Sequence, residues 1–254
     1  MEQKTLEGKV AVVTGAGQGI GYGVSRQLVM RGAHVILNDI EEKLGEEAAA
    51  KIQKETGGRC IPVAGDVSNV HFLNQLVEEA VRSFGQLDIA IANAGITIFG
   101  DFTEYEVDDF DSLINVNLRG TFFLAQAAAR QMISQGQGGK LLFMSSVTGV
   151  QAHQSLSAHG MTQAAIQMLA RNLVIELSPH KINVNALAPG ATLTQRTTLE
   201  PDYESTWAQR TPMGRAASID DIANAASFLV SAQADHITGQ TLIIDGGWTS
   251  ISPL

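Results

Sequence analysis

Short apolar runs alternate along this chain with longer stretches in which apolar residues recur every three or four positions. Residues 10–13, 35–37, 61–64, 87–92, 140–144, 181–188 and 240–244 read as strands, because the apolar runs are short and end in turn residues. The intervening periods read as helices. Ile20, Val24 and Leu28 share one face of the first, and Leu44, Ala48 and Ile52 face inward from a helix over 43–55. Ser68 stands where it can cap a third helix, with Leu73, Leu76, Val77, Ala80, Val81 and Phe84 inward. Thr103 and Glu106 have capping-box spacing ahead of a long helix that contains 114–120. A further helix spans 157–177, and Ser218 with Asp221 opens a last one that buries Ile222, Ala226 and Leu229. The stretch 191–215 has no period and carries Pro201, Pro212 and Gly214, so it reads as a lid or substrate loop.

Strands alternating with helices predict a parallel α/β sheet, with ligands at the carboxyl ends of its strands. No repeat, low-complexity tract or linker divides residues 1–254, which read as one domain. Composition narrows the setting. At 44% hydrophobic and 17% charged the chain is ordinary globular material. A formal charge of −9 gives no general attraction to nucleic acid or to an anionic membrane. Cys60 is the single cysteine and has no internal partner. Residues 1–8 are polar and carry no signal peptide, and no apolar run is long enough to span a bilayer. A cytoplasmic protein without nucleic-acid or membrane partners is expected.

The chemistry starts at Thr14-Gly15-Ala16-Gly17-Gln18-Gly19-Ile20-Gly21, between the first strand and the first helix. Such a turn presents backbone N–H groups at a helix N-terminus, where the dipole favours a phosphate. Glycines leave room for a pyrophosphate and tolerate positive φ. A glycine triplet alone reads equally as a tight turn; the flanking strand and helix favour a dinucleotide site. Asp39 ends the second strand about 20 residues on, where a carboxylate accepts hydrogen bonds from an adenosine ribose and repels a 2′-phosphate. No Arg follows it directly, and Gln18 rather than a basic residue occupies the turn, so NAD(H) is expected over NADP(H). An Asp capping the next helix is the competing reading. Asn117 lies in an apolar setting that calls for specific hydrogen bonds. Structural and site roles are both open for it from this residue alone.

With these pieces in place, the chain resembles the short-chain dehydrogenase/reductase family along nearly its whole length. The matching residues are 14–21, Asp66-Val67, Asn93-Ala94-Gly95, Asn117, Ser145-Ser146, Pro189-Gly190, Thr238-Gly239-Gln240 and Asp245-Gly246-Gly247. The resemblance implies a Rossmann-type doubly wound fold with a seven-stranded sheet, a nicotinamide cofactor and a homotetramer. It implies that Gly15, Gln18, Gly19, Ile20, Gly21 and Asp39 hold the dinucleotide and that Asp66 and Val67 lie beside its adenine. Asn93, Ala94 and Gly95 would line the cleft, and Pro189, Gly190, Thr192 and Thr194 would cover the nicotinamide. The implied activity interconverts a secondary alcohol and a ketone, with sugar, gluconate or 3-oxoacyl substrates as the nearest types.

The resemblance breaks at two residues. Family members pair the Ser with a Tyr and place a Lys four residues after it, on the same helix face. Counting from Ser146, those positions hold His159 and Gln163. In the family the Lys and the cofactor's charge favour phenolate, Ser polarises the substrate oxygen, and Asn117 would hold a water leading from the Lys. Imidazole titrates near neutral pH unaided. It is shorter than a phenol by roughly 2 Å, and a misplacement of about 1 Å can cost about 100-fold. Gln163 keeps hydrogen-bonding capacity but no charge. His159 therefore reads either as a substitute acid/base or as a spectator, with the spectator favoured on geometry. Tyr→His and Lys→Gln each need one base change, which suggests a site-altered form, natural or introduced, of an active dehydrogenase. An impaired oxidoreductase and a catalytically silent NAD(H)-binding member are the two expectations. Thr97, Phe99, Gln151, His153, Leu193, Arg196 and Trp207 are candidates for the pocket wall.

Overall fold

The computed structural model describes residues 4–251. The reading of 1–8 and the outer limits of the predicted domain lie outside the described residues at 1–3 and 252–254. Seven strands form one parallel sheet: β1 (Val10–Val13), β2 (His34–Asp39), β3 (Cys60–Ala64), β4 (Ile89–Ala92), β5 (Gly139–Met144), β6 (Ile182–Pro189) and β7 (Thr241–Ile244). Their order is β3-β2-β1-β4-β5-β6-β7. The chain moves outward from β1 to β3, then returns to the other side of β1 with β4. The crevice where strand order reverses lies between β1 and β4, at their carboxyl ends.

Residues of β1 show why both faces need cover. Val10 and Val12 enter one core cluster with residues of α3 (Val70–Phe84), α5 (Thr121–Gln135) and α6 (Ser157–Leu177). Ala11 and Val13 enter the other, with α1 (Gly19–Met30), α2 (Glu42–Thr56) and α8 (Ile219–Leu229). Alternation along a strand sends neighbours to opposite faces. On α1, Val24 and Leu28 are fully buried, each burial contributing roughly 1.5–3 kcal/mol before conformational entropy is counted.

Four local expectations are corrected. Asn69, not Ser68, caps α3, its side chain accepting from the amides of His71 and Phe72; the Ser68 hydroxyl instead donates to Asp66 at 2.8 Å. Thr103 and Glu106 form no capping box. A 3-10 turn over Phe102–Glu104 takes up Thr103, and α4 (Val107–Leu113) starts beyond Glu106 without a side-chain cap. The long helix is not uniform: α4 runs into a π-helical segment, Ile114–Gly120, before α5. The stretch 191–215 contains a 3-10 turn at Thr197–Leu199 and a helix, α7 (Tyr203–Arg210). Pro201-Asp202 was the available start signal for α7, masked by the lack of an apolar period. Ser218 and Asp221 do form the capping box that opens α8.

Candidate active site

A cleft of about 510 Å³ opens at the strand-order reversal. Its floor is stitched from β1 and β4. The Thr14 hydroxyl accepts from the amides of Asn93 and Ala94, both at 3.1 Å, and Asn93 Nδ2 donates to the carbonyls of Thr14 and Gly15 at 2.9 Å each. Gly15 has φ +60°, and a Cβ there would lie 2.7 Å from the Ala94 backbone. A side chain would thus part the two strand ends. Gly19 also has positive φ and faces open cleft, with nothing nearer than Thr194 at 3.8 Å. Gln18, the N-cap residue of α1, makes no side-chain cap bond. The helix's first amide, Gly19 N–H, reaches across to Gln195 Oε1 at 3.1 Å.

Asp39 lines the same end. Its carboxylate accepts from the Gly17 amide at 2.9 Å and the Glu41 amide at 3.2 Å. The helix cap reading fails, since α2 begins after Glu41. Gln18, Ile20, Asp66, Val67, Asn93, Ala94, Gly95, Pro189, Gly190, Thr192 and Thr194 also line the cleft. Gly21 does not: it is buried behind the turn, against Asn93 and the Gly15 carbonyl.

The far end is made by β5 and α6. A Cβ on Gly160 would lie 2.8 Å from the Thr148 carbonyl, and one on Gly149 2.8 Å from the α6 backbone. These two glycines let α6 press against the turn after β5, which brings Ser146, His159 and Gln163 to one cleft. Ser146 Oγ accepts from the Thr148 amide at 3.2 Å, so its own proton remains a donor. Gln163 is buried, and its amide nitrogen lies 3.4 Å from Thr162 Oγ1. His159 is 8% exposed, and its Nδ1 lies 3.2 Å from the Ile96 carbonyl. Burial depresses the imidazole's pKa; Arg196 and His153 push the same way, while the Ile96 hydrogen bond opposes them.

Asn117 is placed by the π-helical segment but does not line the cleft. Its side chain is instead engaged by protein groups. Its Oδ1 accepts from the Ile96 amide at 2.8 Å, and its Nδ2 donates to the Ile96 carbonyl at 3.0 Å and Thr162 Oγ1 at 3.1 Å. Both amide protons are spent on protein.

Of the expected pocket wall, Thr97 and Arg196 line the cleft; Phe99, Gln151, His153, Leu193 and Trp207 do not. His153 and Trp207 both pack on Trp248, with ring centres 5.0 and 4.8 Å away. Tyr203, Gln195 and Thr197 line it unannounced, because their stretch has no period. Burial raises the Tyr203 phenol's pKa, which keeps it a proton-bearing donor.

The family profile described as Enoyl-(Acyl carrier protein) reductase matches residues 15–249. The chain is 34% identical to a 2-dehydro-3-deoxy-D-gluconate 5-dehydrogenase of Dickeya dadantii, over 96% of both chains. It is 34% identical to an L-rhamnose 1-dehydrogenase (NAD(P)(+)) of Sphingomonas sp., over 96% of this chain and 97% of the relative. The crystal structure of a gluconate 5-dehydrogenase from Burkholderia cenocepacia, in complex with NADP and tartrate, superposes with a TM-score of 0.91. That protein is 33% identical, with 99% of each chain covered. The chain belongs to the short-chain dehydrogenase/reductase family.

Members of the family are oxidoreductases, and its Rossmann-type fold takes a nicotinamide dinucleotide. The start of α1 at the cleft and the open face of Gly19 fit the phosphates of such a cofactor, and the Asp39 carboxylate has lone pairs for a ribose. No described helix is long and apolar enough to cross a membrane, and the described residues hold no cluster suited to a metal ion.

Proposed function

We propose an NAD(H)-dependent oxidoreductase that interconverts a secondary alcohol and a ketone on a polyol or sugar acid. The observation that carries this reading is the convergence of Ser146 and His159 on the cleft that also holds the glycine turn. When bound, the nicotinamide supplies hydride exchange with the carbinol carbon. Gly15, Gln18, Gly19, Ile20 and Asp39 hold the dinucleotide, with Gly21 packing the turn from behind. Asp66, Val67 and Asn93 to Gly95 line its path, and Pro189, Gly190, Thr192 and Thr194 lie over its reactive end. Ser146 donates to the substrate oxygen, and His159 exchanges the substrate's proton. Gln163 supplies hydrogen bonding without charge, which supports a slower reaction than a Tyr and Lys at these positions would give. Asp39 supports NAD(H), since a 2′-phosphate would meet its charge.

Arg196 supports the acid substrate. It is the one Lys or Arg among the described residues that line the cleft, and it acts electrostatically on His159. The names of the Dickeya and Burkholderia relatives point the same way. A homotetramer belongs to the same proposal, supported by exposed Phe110 on α4 and Phe122 and Ile133 on α5; light scattering tests it.

The test is NADH and NADPH oxidation over a panel of keto-acids, keto-sugars and neutral ketones. It compares the chain with a His159→Tyr/Gln163→Lys double variant. Turnover by the chain itself, fastest with NADH and an acidic substrate, supports the proposal. Turnover by the double variant alone transfers the reading to a silent NAD(H)-binding member, which the uncharged Gln163 favours. Failure to bind either dinucleotide removes both.

A further inference from the structure

His159 has a hydrogen-bonded edge and a free edge. Nδ1 lies 3.2 Å from the Ile96 carbonyl oxygen, and Nε2 makes no hydrogen bond within the described residues. A carbonyl only accepts, so a proton must sit on Nδ1. Neutral imidazole carries one N–H, which leaves Nε2 as a lone pair on a ring that lines the cleft. The opposite tautomer would set the Nδ1 lone pair against the lone pairs of the Ile96 oxygen.

The Ile96 backbone is itself held. Asn117 grips it from both sides, accepting from its N–H at 2.8 Å and donating to its carbonyl at 3.0 Å. Thr162 Oγ1 accepts from Asn117 Nδ2 at 3.1 Å and donates to the His159 carbonyl at 2.7 Å. Asn117 and Thr162 are 1% and 0% exposed, so water does not compete for these bonds. The Ile96 oxygen receives two donors, matching its two lone pairs.

We propose that the Ile96 carbonyl, held by Asn117, fixes His159 as the Nδ1–H tautomer and so presents Nε2 to the substrate as a ready base. The proposal rests on the alcohol/ketone reading. Asn117 is here a positioning residue, and His159 is the group that meets substrate. In oxidation the alcohol O–H bond breaks and its proton goes to Nε2, giving imidazolium, while the carbinol hydride leaves to the nicotinamide. In reduction the imidazolium Nε2–H returns that proton to the nascent alkoxide. The resting enzyme at neutral pH is therefore loaded for oxidation and must take up a proton before reduction.

The charged and titratable groups acting on His159 are Arg196, from the loop after β6, and His153, from the segment before α6. Both disfavour imidazolium, as does burial, against the Ile96 bond. Oxidation kcat/KM should stay level through neutral pH and fall about tenfold per pH unit only below the ordinary histidine range. Reduction should rise over the acid range in which oxidation falls.

The deciding experiment needs no turnover. Long-range proton–nitrogen spectra of the cofactor-free chain, labelled with nitrogen-15 histidine, are compared with those of His159→Gln to assign the ring. A protonated Nδ1 with an unprotonated Nε2 at neutral pH is expected. A protonated Nε2, or an even mixture of tautomers, overturns the proposal. Asn117→Leu removes the grip on Ile96. It should mix the tautomers and move the oxidation midpoint further below the ordinary histidine value, since the Ile96 bond is what opposes the depression, while the dinucleotide KM stays unchanged. An unmoved tautomer and midpoint overturn the part assigned to Asn117. If Asn117→Leu does not fold, Thr162→Val, which removes one tether, is read by the same spectra. A chain with the Nδ1–H tautomer but no turnover on any substrate upholds the tautomer and overturns the functional reading.

Discussion

At the glycine-turn end of the cleft the polar groups on offer are mostly backbone; at the far end they are side chains. Gly15, Gly19 and the start of α1 bring backbone to the cleft, joined by one carboxylate, Asp39. Ser146, His159, Gln163 and Arg196 make the other end from hydroxyl, imidazole, amide and guanidinium. The two ends differ in what holds them: close backbone approach at one, side-chain hydrogen bonds at the other. A Cβ at Gly15 meets a strand end at 2.7 Å, so a substitution there disturbs the sheet. At the other end His159 and Gln163 are buried beside a hydrogen-bond frame. That frame runs through Asn117, Ile96 and Thr162.

The contrast can be broken first at His159. His159→Ala should lower oxidation kcat by about 10²–10⁴-fold, the usual range for a general acid/base, with the dinucleotide KM unchanged. A loss under tenfold in steady-state kinetics would make His159 the spectator that its short reach suggests. At the other end, Gly21→Ala forces a methyl against Asn93 and the Gly15 carbonyl. Overpacking of this kind costs about 1–3 kcal/mol, to be read as a lower urea midpoint together with weaker NADH binding. Loss of binding with unchanged stability would instead make Gly21 a direct contact.

Asp39→Ser should raise relative affinity for NADPH about tenfold, equal to about 1.4 kcal/mol. Fluorescence titration with both dinucleotides reads it, and an unchanged ratio would remove Asp39 as the discriminator. The smallest effect lies outside both ends. Ser218→Ala opens the capping box of α8 and should cost about 1 kcal/mol of stability, with kinetic constants unaltered. A kinetic change there would show that the ends of the cleft are coupled through the fold.

Much of this is legible in the sequence. The seven apolar runs became seven strands, and α6 begins and ends where its period does. The glycine turn, Asp39 and the polar strand ends were visible because their chemistry is local: a turn, a spacing, a residue type. Ser68, Thr103 and Glu106 misled because a capping residue's partner is chosen by the final turn geometry, and Asp66 competed for the Ser68 hydroxyl. Tyr203 and Gln195 stayed hidden because their stretch reaches the cleft by folding back over it, which leaves no period in the chain.

By itself the chain determined the alternation of strands and helices, the glycine turn between the first strand and helix, and the placing of His159 and Gln163 four residues apart, since each depends on residues close in sequence. Tertiary structure alone decided what His159 meets. Its tautomer is set by the carbonyl of Ile96, 63 positions away, and that carbonyl is held by Asn117 from a π-helical segment. A proton's place on a ring depends on which acceptor lies beside each nitrogen, and only the packed sheet and helices bring that acceptor there.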